Sequence, residues 1–209
     1  MVLRGENMKA NETINIIVTG VGGQGLITLG DVLGTAAVLR GVKVFVSEVH
    51  GLAQRGGSVI VHVRIGEPNS PLVPEKGADV ILALEVLEAI RAIATYANPK
   101  TLVIVNRRLI RPVVPGVKLK NVDEYISYIK KLGLKVIELN ALELAIKAGN
   151  PLGENMVMIG ALLASKALKG LLDLNDVEKA IQTVMSKKWI DVNIKALRAG
   201  YEEVAKVSQ

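Results

Sequence analysis

Ile14-Asn15-Ile16-Ile17-Val18-Thr19-Gly20-Val21-Gly22-Gly23-Gln24-Gly25 is an apolar run that empties into a glycine-rich turn, with a helix-forming stretch beginning at Leu26. β-Branched residues favour the extended chain, while glycines accept the positive φ angles and close backbone approach that other residues resist. The first turn of a helix placed there leaves N–H groups without intrahelical partners at its electropositive end, so the turn is a seat for an anion. Gly20, Gly22, Gly23, Gln24 and Gly25 are therefore the first candidate binding residues. The spacing also matches a dinucleotide fingerprint, with Glu48 behind a second apolar run in the place of the acid that reads a ribose. A free-standing NAD(P)-dependent dehydrogenase is one alternative on these residues, and a regulatory or assembly module is another.

The 209 residues are half hydrophobic, enough to bury a full core, and we expect a flexible lead over 1–12 followed by one domain over 13–209. The longest charge-free stretch, Thr13 to Gly30, holds five glycines and does not read as a membrane span. The charged start lacks an apolar signal core, so a cytoplasmic location is expected. Cysteine is absent, which removes disulfides, thiolate catalysis and cysteine ligation of an iron–sulfur cluster by this chain. With only His50 and His62 as histidines, no metal site is expected. The net charge of +6 is scattered and aromatics make up 3%, too few for a base-stacking surface, so no nucleic-acid binding is expected.

Alternation of β-branched runs with helical segments predicts an α/β fold: a Rossmann-like, three-layer, mostly parallel sheet with helices on both faces and a helical C-terminal part. Strands are expected over Ile14 to Thr19, Lys43 to Glu48, Ser58 to Ile65, Ala78 to Leu84, Thr101 to Val105 and Leu134 to Glu138. Helices are expected from about Gln24 to Arg40, Glu85 to Tyr96, Asn121 to Leu132, Ala141 to Ala148, Asn155 to Leu168, Asn175 or Asp176 to Lys187, and Val192 to Ala205. Gly30 and Gly34, four apart on the first helix, imply that something packs very close to it. Asn121 with Glu124 reads as an N-cap with its reciprocal acid. The apolar segments Leu26 to Leu39 and Met156 to Leu163 are candidate contact surfaces, although Met156, Met158, Leu162 and Leu163 read first as packing.

The next informative stretch is Glu48-Val49-His50-Gly51-Leu52-Ala53-Gln54-Arg55-Gly56-Gly57-Ser58, at the carboxyl end of the second strand, where open α/β sheets place ligands. Gln54, Arg55, Gly56 and Gly57 join the candidate binding residues. Arg55, Glu48 and His50 are the candidate catalytic groups, none of them certain, because Arg55 can equally pair with Glu48 and a lone turn histidine is commonly structural. The first glycine turn must lie beside this one. Asn106, Arg107 and Arg108, after a central strand, read first as a solvated basic loop, and His62 as a structural residue.

The two glycine motifs in this order, with a later Asn155-Met156 helix start, resemble the gamma-type domain of the 2-oxoacid:ferredoxin oxidoreductases over about Asn15 to Tyr201. The form His50-Gly51-Leu52-Ala53-Gln54-Arg55-Gly56-Gly57 resembles the indolepyruvate branch of that family more than the branches serving pyruvate, 2-oxoglutarate or branched-chain 2-oxoacids. The resemblance implies CoA-dependent oxidative decarboxylation of an aryl pyruvate to an aryl-acetyl-CoA, carbon dioxide and reduced ferredoxin. It implies a larger alpha subunit as partner, carrying thiamine diphosphate with Mg²⁺ and 4Fe-4S clusters, with CoA and aryl pyruvate at a shared site and no cofactor held by this chain alone. On that reading Gly22, Gly23, Gln24 and Gly25 offer backbone and amide hydrogen bonds to a substrate carboxylate or an acyl-acceptor phosphate, and Arg55 is the charge partner.

Overall fold

The computed structural model describes residues 12–50, 56–111, 116 and 118–207, with the side chains of His50 and Val207 outside that description. Among the described residues six strands form one sheet: β1 (Thr13–Val21), β2 (Lys43–His50), β3 (Ser58–Gly66), β4 (Val80–Ala83), β5 (Leu102–Asn106) and β6 (Lys135–Leu139), in the order β2-β3-β1-β4-β5-β6. β1, β4, β5 and β6 pair in parallel, while β3 is antiparallel to both β1 and β2. The reversal has a simple cause. Parallel pairing needs a crossover of a dozen or more residues, and the seven residues between β2 and β3 permit only a direct antiparallel return. β3 thus fills the gap beside β1 and pushes β2 to the sheet edge.

The α-helices of the described residues that cover the sheet are α1 (Leu26–Arg40), α2 (Val86–Tyr96), α3 (Val122–Lys131), α4 (Ala141–Lys147), α5 (Glu154–Ala164), α6 (Leu174–Val184) and α7 (Lys187–Val207). Because successive strand residues face opposite ways, Ile14, Ile16 and Val18 join the core under α1 and α4 to α7, while Ile17 joins the smaller core under α2 and α3. The expected three layers are present. On α1, a Cβ at Gly30 would lie 3.0 Å from Val61 and 3.1 Å from Val46, and one at Gly34 3.0 Å from Val46. The close neighbour anticipated for these glycines is the β2–β3 pair.

Several boundaries differ from the sequence expectation. α1 starts at Leu26, after Gly25 in the left-handed region, and α5 stops at Ala164. All eleven residues of α5 are buried, so Met156 to Leu163 is core of this chain and not a contact surface. On α1 only Ile27, Val38 and Leu39 of the larger apolar residues stay exposed. α6 begins at Leu174, ahead of the expected Asn175 or Asp176, and is capped by Asp173, whose carboxylate accepts from the Asp176 amide while Asp176 returns the bond. The Asn121–Glu124 capping box on α3 is as read.

Candidate functional site

The carboxyl ends of β1, β4 and β5 and the start of β3 meet at one edge of the sheet. There the two glycine turns touch: the Gly22 amide donates to the Gly57 carbonyl at 2.8 Å, and the Gly56 amide to the Gly22 carbonyl at 3.3 Å. Between β1 and α1 the chain passes through Gly23 at φ 105° and Gly25 at φ 75°, conformations in which a side chain is strained. α1 begins with no side-chain cap and no acidic residue in its first turn, leaving the positive end of its dipole open.

The Gln24 amide is turned inward. Its Oε1 accepts from the Val21 amide at 2.8 Å and its Nε2 donates to the Leu84 carbonyl at 3.0 Å, so it clamps the ends of β1 and β4 together. Its Oε1 would lie 2.7 Å from a Cβ at Gly20, which accounts for the first glycine of the motif.

Behind this turn lies a polar network that the sequence did not announce. Asn106, with no exposed surface at the end of β5, donates to the Leu84 carbonyl (3.3 Å) and to Glu154 Oε2 (2.8 Å), and accepts from the Ala141 amide (3.0 Å). Glu154, 7% exposed, also pairs with the Arg108 guanidinium. The next residue, Asn155, donates to the Gly25 carbonyl at 3.1 Å. A buried charge is tolerated only with such partners. The basic stretch after β5 is therefore not a solvated loop: Asn106 is core, Arg108 faces the turn, and Arg107 is drawn away by Glu138 at 2.5 Å and by Asp123.

Two hollows flank the turn. One, of about 470 Å³, is bordered by Gly22, Gly23, Leu26, Thr28 and Val59. The other, of about 420 Å³, runs from Gly23, Gly25 and Arg108 to a far wall of Asn150, Leu152, Trp189 and Asn193. Leu152 is 79% and Trp189 43% exposed. The far wall reaches the site because α7 packs against α5 almost backbone to backbone: a Cβ at Gly160 would sit 2.0 Å from the Leu197 carbonyl oxygen, and one at Gly200 1.9 Å from that of Val157.

The remaining sequence candidates fall as follows. Glu48 is exposed on the edge strand, opposite Val61, which in turn lies opposite Val18. One strand separates Glu48 from β1, about 10 Å sideways at ordinary strand spacing. In a dinucleotide fold the acid sits on the strand next to the glycine turn, so β3 removes Glu48 from the ribose-reading position. His50 ends β2, paired with Val59; its side chain, like all of Gln54 and Arg55, lies outside the described residues. Ser58 closes the second motif by donating to buried Glu88 at 2.6 Å, joining it to α2. Buried Glu85 caps α2 through the Leu87 and Glu88 amides, and burial pushes its carboxyl above the usual carboxylate range. His62 is buried under the loop before β4, where its Nδ1 accepts from the Val73 amide at 3.1 Å. Among the described residues no group of three or more histidines or carboxylates is placed to hold a metal.

A Rossmann-like sheet interrupted by an antiparallel strand thus carries paired glycine turns at its carboxyl edge. The family model for pyruvate ferredoxin/flavodoxin oxidoreductase matches residues 15–203, and the chain belongs to that family. It is 46% identical over 193 residues to indolepyruvate oxidoreductase subunit IorB of Archaeoglobus fulgidus, covering 91% of this chain and 94% of that one. It is 29% identical to pyruvate synthase subunit PorC of Thermotoga maritima, covering 88% and 91%. The keto/oxoacid ferredoxin oxidoreductase gamma subunit of Geobacter sulfurreducens shares the fold, with a TM-score of 0.69 at 24% identity over 92% of this chain and 99% of that one. A 2-oxoglutarate:ferredoxin oxidoreductase from Magnetococcus marinus contains the fold within a longer chain, of which 32% is matched, with a TM-score of 0.67 at 18% identity over 94% of this chain.

Proposed function

We propose that this chain is the small subunit of a cytoplasmic indolepyruvate:ferredoxin oxidoreductase, forming one wall of an active site completed by a larger subunit. The observation that carries the reading is the glycine turn between β1 and α1, held rigidly from behind while its open helix start faces two hollows. An anion placed there meets preorganised N–H groups, and Arg108 at the rim adds a planar cation suited to a carboxylate or phosphate. The 2-oxoacid carboxylate and the phosphates of CoA both have that chemistry. The same relatives support the assignment of substrate class, since those sharing 38–46% identity are named for indolepyruvate and those near 29% for pyruvate or 2-oxoglutarate.

Thiamine diphosphate with Mg²⁺ and the 4Fe-4S clusters belong, on this reading, to the larger subunit. A chain without cysteine does not offer the donors of such clusters. When bound, the thiamine supplies the carbanion chemistry. This chain's contribution is to orient and hold charge: turn amides on the anion, Arg108 and Arg55 beside it, and Trp189 and Leu152 as apolar surface at the rim.

Co-expression with the larger subunit tests the proposal. The purified complex is expected to reduce ferredoxin with indolepyruvate and CoA, and the small chain alone to do nothing with any 2-oxoacid. Preference for pyruvate or 2-oxoglutarate in the same assay would reassign the branch. Within the complex, Arg55→Ala should leave assembly intact and lower turnover at least about tenfold, near 1.4 kcal/mol of lost transition-state stabilisation; unchanged kinetics would remove Arg55 from the site.

A further inference from the structure

The polar start of α5 is the least expected feature of the core. From Met156 to Ala164 the helix carries only apolar residues and one glycine, all buried, yet it opens with Glu154 and Asn155, 7% and 5% exposed. Burying such a pair in an apolar setting is costly unless each atom is matched, and here the partners converge on one place. We infer that Asn155 is a positioning residue for the glycine turn, fixed in turn by the buried Glu154–Asn106 pair. This inference rests on the proposed role of the turn in receiving an anion.

The geometry forms a closed circuit. Asn106 Nδ2 reaches both Glu154 and the Leu84 carbonyl, Gln24 Nε2 reaches the same carbonyl, Gln24 leads to Gly25, and the Gly25 carbonyl returns to Asn155, the neighbour of Glu154. The Asn155 Oδ1 accepts from the Met156 amide at 2.9 Å, which decides which end of the side chain faces Gly25. The Gly25 carbonyl receives two donors, Asn155 Nδ2 and the Leu29 amide at 3.0 Å, so both of its lone pairs are used. Because the peptide unit is planar, fixing that oxygen also fixes the direction of the Leu26 N–H, which points the opposite way, out of the helix start. Asn155 thereby aims an amide that it does not touch. There is no slack in the contact: a Cβ at Gly25 would lie 2.6 Å from Asn155 Nδ2.

Two variants separate this role from mere packing. Asn155→Ala removes the donor and leaves a small void. Asn155→Asp keeps the volume but sets a carboxylate oxygen against the Gly25 carbonyl, so a space-filling role predicts near-normal behaviour and a positioning role predicts damage at least equal to that of alanine. If the alanine variant does not fold, the aspartate variant is read alone. Amide exchange is measured at Leu29, whose bond to Gly25 reports the turn, and at Ile104 in β5 as a reference. Both variants should speed exchange at Leu29 at least about tenfold with Ile104 unchanged. In the assembled complex, KM for the 2-oxoacid or for CoA should rise about tenfold with kcat altered less than twofold. Exchange at Leu29 unchanged in the folded variants, or normal behaviour of Asn155→Asp, overturns the inference. Faster exchange with both KM values unchanged upholds the positioning of the turn and overturns its role as an anion seat.

Discussion

Gln24 and Asn106 donate to one oxygen, the Leu84 carbonyl, at 3.0 and 3.3 Å. Gln24 comes from the turn that leaves β1 and Asn106 from the end of β5, so this atom of the chain following β4 ties together the carboxyl ends of three adjacent strands. The carboxyl edge of a parallel sheet is where its strands lose their ladder bonds and diverge. Here side-chain amides continue the pairing one step beyond the strands, and the turn that follows inherits their rigidity.

Gln24→Leu should therefore destabilise the fold by about 1–3 kcal/mol, because the part-buried Val21 amide loses its acceptor while the Leu84 carbonyl keeps Asn106. Urea unfolding measures the loss. A change below about 0.5 kcal/mol would mean that water replaces the clamp at no cost.

Arg108 and Glu154 form a pair whose two members are unequal, Glu154 nearly buried and Arg108 about a third exposed. Arg108→Ala leaves a buried carboxylate with Asn106 as its remaining side-chain partner, and about 1–3 kcal/mol of stability should be lost. Adding Glu154→Gln in the same chain removes the stranded charge while the amide oxygen still accepts from Asn106. The double variant should recover at least half of the loss, and a simple sum of the two single effects would contradict the pairing.

The approach of α5 to α7 gives a harsher test. Gly160→Ala and Gly200→Ala each place a methyl within about 2 Å of a carbonyl oxygen on the facing helix, and neither obstacle is a side chain that can turn aside. Each should cost more than about 3 kcal/mol or abolish folding, as overpacking against backbone does. Thermal melts would show it. Gly170→Ala, with open space around its Cβ but φ 80°, should cost only the strain of a left-handed residue, about 1 kcal/mol.

What the sequence revealed is what is local. The β1 run, the glycine turn and the Asn121–Glu124 box are each decided within a few residues, by alternation, φ requirements and reciprocal capping. Asp173-Leu174-Asn175-Asp176 offers three capping residues within four positions, and propensity cannot choose among them. Arg40, at the end of α1, makes the choice by pairing with Asp173 at 3.0 Å and Asp176 at 2.9 Å. The insertion of β3 follows from the seven-residue connection after β2, whereas the spacing of Glu48 from the glycine turn would fit a dinucleotide fold as well. The Asn106–Glu154 contact joins residues 48 apart in the chain, and no periodicity carries it. Its one visible trace was a polar pair opening an otherwise apolar helix, together with the Asn155-Met156 helix start.

His62 provides a pH-dependent prediction. Its ring lies edge-on to Tyr96 at 5.4 Å between centroids, and its Nδ1 is occupied as an acceptor of the Val73 amide. Burial, reinforced by the Arg64 charge, lowers its pKa below the ordinary 6.5. The folded protein thus keeps His62 neutral over a range in which the unfolded chain binds a proton. Stability from this group is complete above about pH 6.5 and declines as the pH falls below it, levelling off only at the depressed folded value; the slope is at most about 1.4 kcal/mol per pH unit. Asp79 and Glu85, whose carboxyls burial pushes up, act in the opposite sense at lower pH, so the informative quantity is the difference between wild type and a variant. His62→Gln retains an acceptor for Val73 and does not titrate. Between pH 7.5 and 5.5, wild-type stability in urea should fall by up to about 1 kcal/mol more than that of the variant. Equal falls would show that the folded protein binds this proton as readily as the unfolded chain, and the prediction would fail.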